Sequence, residues 1–429
     1  MNAKLISVLF FETLYLIFLI LEEDEFDEII PLKDDAKLVL KGHSNVVLSV
    51  ICDSKNTMIF TGGMDDTIIV WDFVTGKIIT TLIGHCDSVT NMSLDLTDTY
   101  LVSGDLQGLV IVWQIISDGK NTTFLRQKSM ELSEIIDIKW VFSKNDNDQH
   151  LFICDKTGTV QEFILSSIKE EGYMTPSFYG QGKGCCCNGF NVILDGQHVA
   201  VLYGGTCGAH EECSNTNQLE VCDMRTYAVV KSDLNAIANE EEDNDEGLGA
   251  GFATQRSGSF ELIVIGDWSQ LILARVFDGP QGVTCKLDRV PIKDGGLVTN
   301  VAFSDAFPFV AFATKNGIIG VYDITHNRTR HLWNYTATVG PSLVTSGDED
   351  EYQGNMTVSQ LKWNAGKPQF FTTGLDGRMC AWDSRTAPTK DNVLSWWGHS
   401  GIVWDLCVPK NGNCVITVSE DQTGRVFEI

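Results

Sequence analysis

The stretch Gly42-His43-Ser-Asn, Gly62-Gly63-Met64-Asp65-Asp66 and Ile68-Ile-Val-Trp71-Asp72 returns as Gly84-His85-Cys-Asp87, Ser103-Gly-Asp105-Leu-Gln107-Gly108 and Val110-Ile-Val-Trp113. A period of about forty residues belongs to four-stranded propeller blades, not to helical solenoids. Within the first unit, Val46–Cys52, Met58–Thr61 and Thr67–Phe73 are β-branched and aliphatic runs. Polar and glycine-rich turns, Asp53-Ser-Lys-Asn56 and Gly62 to Asp66, separate them. The body shows no sustained helical period.

Weaker copies follow at Ile135–Leu165, Cys187–Met224, Gly251–Phe277, Val298–Ile324, Val358–Ser384 and Gly398–Ile429. The expected fold is therefore all-β, a propeller of eight blades, with seven as the alternative. Several units lack the signature ends. The third closes with Val160-Gln-Glu-Phe163 and the sixth with Ile319-Gly-Val-Tyr322-Asp323; the fifth places Arg275 where an aromatic belongs, and the seventh keeps Trp382-Asp383.

A His ahead of the inner strand, a Ser or Thr on the second strand, an Asp in the next turn and a Trp on the third can join in one buried hydrogen-bond chain. Blade 1 offers His43, Thr61, Asp65 and Trp71. Blade 8 offers His399, Thr417 and Asp421, with Phe427 in place of the Trp, and blade 7 offers Asp376 and Trp382. Blade 2 offers His85, Ser103 and Trp113, but Gln107 falls where the Asp is expected, which predicts a weaker network. A catalytic His-Asp-Ser reading fails because the same set recurs from blade to blade, which marks a scaffold. No phosphate loop or nucleophile elbow is present, so no enzymatic activity and no cofactor are expected.

A ring of sheets must close without an open edge. The last unit stops one strand short of a blade, and an orphan strand, Ala36-Lys-Leu-Val-Leu40, precedes the first Gly-His. That segment is expected to complete the last blade. The organisation is then an apolar and acidic segment over 1–35 and one propeller over 36–429, with acidic insertions at 240–246 and 348–351.

The chain has 429 residues with 57 acidic against 31 basic, a formal net charge of −26. This balance repels nucleic acid phosphates and attracts basic proteins. The excess is concentrated in Glu22–Glu28, Glu240–Glu246 and Asp348–Glu351. These runs read equally as solvated loops or as a docking field for a lysine- and arginine-rich partner. The 13 cysteines, scattered through strands, read as reduced thiols of a protein of the cytoplasm, with the nucleus also open. Cys185-Cys186-Cys187 and the Cys207, His210, Cys213 loop with Cys222 could supply zinc ligands, but their spacing fits no familiar site, and no metal is expected. Leu5–Leu21 is apolar but interrupted by Glu12, short for a membrane span and without small residues for cleavage. A poorly defined chain start is the preferred reading over an anchor.

The runs Gly84–Thr90, Thr99–Val112, Gly374–Arg385, Trp397-Gly-His399 and Val415–Phe427, together with an acidic stretch ahead of the first blade, resemble the angio-associated migratory cell protein family. The resemblance spans about residues 22 to 429 and is weak from Gly180 to Asp294, where the cysteine loop and acidic insertion depart from the pattern. It implies a WD-repeat propeller. It also implies the role of the fungal member, a dedicated chaperone that catches the amino-terminal segment of one basic large-subunit ribosomal protein on the top face of an eight-bladed ring. The vertebrate name points instead to scaffolding in cell migration and signalling.

The top face is where the turns leading into each inner strand and the turns between second and third strands emerge. The acids placed there are Asp87, Asp105, Glu134, Asp137, Asp155, Asp405 and Glu420, with Trp404 and Trp268 as cation–π partners for Lys or Arg. Asp87 and Asp105 lie in the stretch resembling the family; the others follow from strand register alone. The partner expected is a basic protein segment met by a monomeric ring, without nucleic acid or membrane.

Overall fold

The first hairpins are set by aspartates that close the turn after each inner strand. Asp53 accepts the backbone N–H groups of Thr57 and Met58 at 2.7 and 2.9 Å, with Asn56 at φ 56°. Asp95 repeats the device in the next blade, accepting from Thr99 and Tyr100 at 2.6 Å each, with Asp98 at φ 56°. Asn and Asp tolerate this left-handed conformation and bond their own turn, which fixes the register of the strands that follow.

The computed structural model describes residues 31, 33–118, 121–143, 146–169, 175–180, 187–204, 218–234, 251–293, 295–339, 358–386, 389 and 393–429. They form eight antiparallel four-stranded sheets. The inner strands are Val47–Cys52, Val89–Leu94, Ile135–Ser143, Cys187–Ile193, Phe252–Ser257, Val298–Phe303, Val358–Trp363 and Val403–Cys407. Eight blades, not seven, make the ring. Its only helices among the described residues are the single turns Leu165–Lys169 and Tyr335–Val339. The apolar stretch Leu5–Leu21, the three acidic runs and Cys185, Cys186, Cys207, His210 and Cys213 lie outside the described residues. No described helix is long and apolar enough to cross a membrane.

Closure follows the expected route. Leu38–Lys41 pairs antiparallel with Thr423–Glu428, Leu38 opposite Val426 and Lys41 opposite Thr423, and so supplies the outer strand of blade 8. Asp35 reinforces it, its N–H donating to the Trp397 carbonyl while its carboxylate accepts the Trp397 N–H.

Apolar residues from facing sheets fill every seam between blades. Phe60, Val70 and Ile68 meet Val89, Leu101 and Trp113 between blades 1 and 2. Val47, Ile69 and Trp71 of blade 1 meet Leu40, Ile416, Val418 and Val426 of blade 8. Each sheet is thus buried on both faces, which explains the near-continuous apolar runs of second and third strands.

Candidate binding face and central channel

The repeated network forms as the residue types demand. In blade 1 the Trp71 indole N–H donates to Thr61 Oγ1 at 2.8 Å, the Thr61 hydroxyl to His43 Nε2 at 2.8 Å, and His43 Nδ1–H to Asp65 Oδ2 at 2.9 Å. Each polar group of this blade 1 network has a partner, so its burial costs little. Burial pushes the Asp65 carboxyl up, but hydrogen bonds from His43 and the Ser44 amide prevail and hold it at about 2.

Blade 2 corrects the reading of Gln107. The network is complete, because Asp105 supplies the acid: His85 Nδ1 lies 3.0 Å from Asp105 Oδ2, His85 Nε2 2.7 Å from Ser103 Oγ, and Trp113 donates to Ser103 at 2.9 Å. Asp105 also closes its turn, accepting from the Gln107 and Leu109 amides. Its exposure is 0 %, so it is an interior residue and not a top-face contact. Asp155 is corrected likewise: it is buried and caps the following turn through the Thr157 and Thr159 amides.

In blade 8 His399 spans Thr417 at 2.7 Å and Asp421 at 2.9 Å, and Arg425 adds a bond to Asp421 at 2.8 Å. Phe427 packs edge-on against the imidazole. In blade 7, where no Gly-His exists, Tyr335 takes the histidine's place: its hydroxyl lies 3.2 Å from Asp376, which is also ion-paired with buried Arg378. Trp382 donates to Thr372 at 2.9 Å. Nothing in the sequence marked Tyr335, because it arrives from the helical turn Tyr335–Val339, outside the repeat.

Inner strands from seven blades line a central channel of about 440 Å³. The inner strands are stitched from blade to blade. Ser49 donates to the Val89 carbonyl at 3.1 Å, Asn91 to that of Ile135 at 2.9 Å and Asn300 to that of Ser359 at 3.2 Å. Asp405 closes the circle by accepting the Val50 N–H at 3.0 Å. Each of these residues follows a β-bulge near the start of its inner strand, and a bulge re-aims a side chain. Here it turns one toward the neighbouring blade.

This geometry divides the predicted acids. Asp405 is a ring clasp that also holds Lys362 Nζ at 3.0 Å, and against burial its carboxylate helps raise the Lys362 pKa. Asp137 faces the channel with Lys139 at 2.9 Å, while the Lys139 ammonium also donates to the Phe190 carbonyl. The channel acids are thus balanced by channel lysines. Glu134 is paired with Lys156 at 3.4 Å. Glu420, pushed up by burial, accepts the Ile402 N–H at 3.4 Å. Asp87 is half-buried and accepts from Gln107 Nε2 at 3.0 Å. Trp404 is only 5 % exposed and packs with Leu48 and Ile402 beside the channel, so it offers little ring face; Trp268 is 39 % exposed.

Among the described residues no three His, Cys, Asp or Glu side chains gather as metal ligands. Cys187 instead faces Cys154 of the neighbouring blade at 3.8 Å.

The family description "WD domain, G-beta repeat" matches residues 35–72, 76–114 and 390–428, each the first three strands of blade 1, 2 or 8 preceded by the outer strand of the blade before it. The chain is a WD-repeat propeller. Among curated proteins this WD-repeat chain is similar to the angio-associated migratory cell protein of dog and of human, each 25% identical over 134 residues, 31% of this chain. The matched stretch spans 26% of the length of those relatives. Among solved structures it superposes on Chaetomium thermophilum Sqt1 bound to the N-terminus of the ribosomal protein L10, with a TM-score of 0.73 and 19% identity over 92% of this chain and all of the other. Saccharomyces cerevisiae Sqt1 gives 0.68 at 18% identity over 93% of this chain and 100% of that one. The computationally designed Ika8 protein gives 0.58 at 18% identity over 94% of this chain and 99% of that one. At such identities these likenesses show the fold.

Proposed function

We propose that this WD-repeat ring is a non-enzymatic binding protein that captures a basic segment of a large-subunit ribosomal protein and shields it during subunit assembly. The observation that carries the reading is the superposition over 92% of the chain on a propeller whose structure holds the N-terminus of a ribosomal protein. The net charge of −26 supports it, since an acidic ring attracts a cationic client and suppresses its aggregation. We place this work in the cytoplasm, with the nucleus also open, and assign the ring to a monomer.

On the described face, Asp87 and Glu134 are the acids that stand outside both the interior networks and the ring clasps. They are the contacts to which a client's Lys or Arg is assigned, exchanging the Gln107 and Lys156 partners for the client's cations; Asp405, which ties the ring together, is not. The test is capture from extract with the full chain as bait, followed through a salt series. Enrichment of one basic ribosomal protein, released steeply by salt, supports the proposal. Recovery of signalling enzymes or membrane receptors without a ribosomal protein would favour the scaffold reading.

A further inference from the structure

Blades 1 and 8 meet at the one seam that joins the two ends of the chain, and a pair of cysteines faces across it. Cys52 ends the inner strand of blade 1 and Cys407 ends that of blade 8. Their Sγ atoms are 3.4 Å apart, hydrogen-bond distance for two thiols separated by 355 residues in sequence. Both residues are partly exposed. Lys362, which spans from blade 7 to the Leu406 carbonyl, brings an ammonium to the same place.

We propose that Cys52 and Cys407 form a redox-sensitive clasp, in which a small-molecule disulfide such as glutathione disulfide oxidises the pair to a covalent bond between the first and last blades. The Cys407 thiolate attacks one sulfur of the oxidant and expels its other half as a thiolate, leaving a mixed disulfide. Cys52 then loses its proton and attacks the Cys407 sulfur, expelling the second small thiolate. The two protons released by the protein pass to the two small thiolates, so two protein thiols are oxidised as one disulfide is reduced to two thiols.

The order of attack follows from the surroundings. The hydrogen bond shared with Cys52 and the Lys362 charge, against burial, hold the Cys407 thiol below its usual range, whereas that same bond and burial push Cys52 up. Thiolate character together with access selects the attacking cysteine. The Cys154–Cys187 pair, at 3.8 Å, is the internal control: both thiols are 0 % exposed, and an oxidant has no route to them. Linking the seam adds a covalent tie where closure otherwise rests on the strand Leu38–Lys41, the Asp405–Val50 bond and apolar packing.

The test treats the full chain with glutathione disulfide and maps its linked peptides by mass spectrometry. The expected result is a Cys52–Cys407 peptide formed ahead of any Cys154–Cys187 link and removed by dithiothreitol. The denaturant midpoint should rise on oxidation and return on reduction. Cys52→Ser and Cys407→Ser should each abolish that rise. A stable glutathione adduct on Cys407 without the cross-link, a link from Cys407 to Cys414, or no reaction before unfolding would each overturn the clasp.

Discussion

In blade 1 the acid that holds His43 comes from the turn, and the strand position before it is Gly63, where a Cβ would stand 2.7 Å from His43 Nδ1 and 2.8 Å from Asp65 Oδ1. In blade 2 the acid, Asp105, sits at that strand position itself, paired opposite Val89 as Gly63 is opposite Val47. The two geometries deliver a carboxylate to the same nitrogen of the same histidine. Asp105→Ala should therefore cost about 1–3 kcal/mol by stranding a buried donor, and Trp71→Ala about 3–5 kcal/mol through lost packing, both read as shifts of the denaturation midpoint. Blade 8 adds a pH dependence. Burial lowers the His399 pKa despite the Asp421 bond, so its neutral form belongs to the folded state. That contribution is complete above the unfolded pKa of about 6.5 and is lost as pH falls. His399→Gln should flatten the fall in stability below that pH. His150 works with the opposite sign: bonds it donates to the Glu162 and Asp146 carboxylates raise its pKa against burial, so its stabilisation is lost as pH rises, and His150→Gln should change the slope the other way.

The repeat itself was legible because turns and strand runs are local. Blades 1, 2, 7 and 8 carry their Trp or His-Asp signature, and the orphan segment before the first Gly-His found its place as an outer strand for the same reason. Blade 5 was harder to see. It has no network, its inner strand pairs without a register shift, and Arg275 in the aromatic position is ion-paired with Asp288 of the outer strand. Alternating aliphatic strands suffice to build a blade once both neighbours cover it. The blade clasps were missed because Ser49, Asn91, Asn300 and Asp405 act across seams, between residues far apart in sequence. Asp405 was thereby misread as a surface acid, and Asp105 and Asp155 too, since a turn acid looks the same in sequence whether it points out or in. Leu40 is 1 % exposed on the closing strand; Leu40→Ala should cost about 2–5 kcal/mol and expose the blade 1 and blade 8 edges to protease first, detectable by limited proteolysis.

At the scale of the whole ring, stability and capture separate. Asp405→Lys breaks a charge-assisted tie between blades 8 and 1 and repels Lys362, so the melting temperature should drop. Asp87→Lys with Glu134→Lys changes the charge of the face outside the His networks and seam clasps, losing the Asp87–Gln107 bond and the Glu134–Lys156 pair. That double variant should lower the melting temperature less than Asp405→Lys does and lose client capture at least tenfold. If both variants lost stability equally, the face acids would be structural and the docking assignment wrong.

The most direct measurement is calorimetric titration of the purified full chain with a synthetic N-terminal segment of the large-subunit ribosomal protein L10, at low and at high salt. Saturable one-to-one binding that weakens steeply with salt is the predicted result. Absence of binding at low salt, or binding indifferent to salt, would contradict capture of a basic ribosomal segment by an acidic ring.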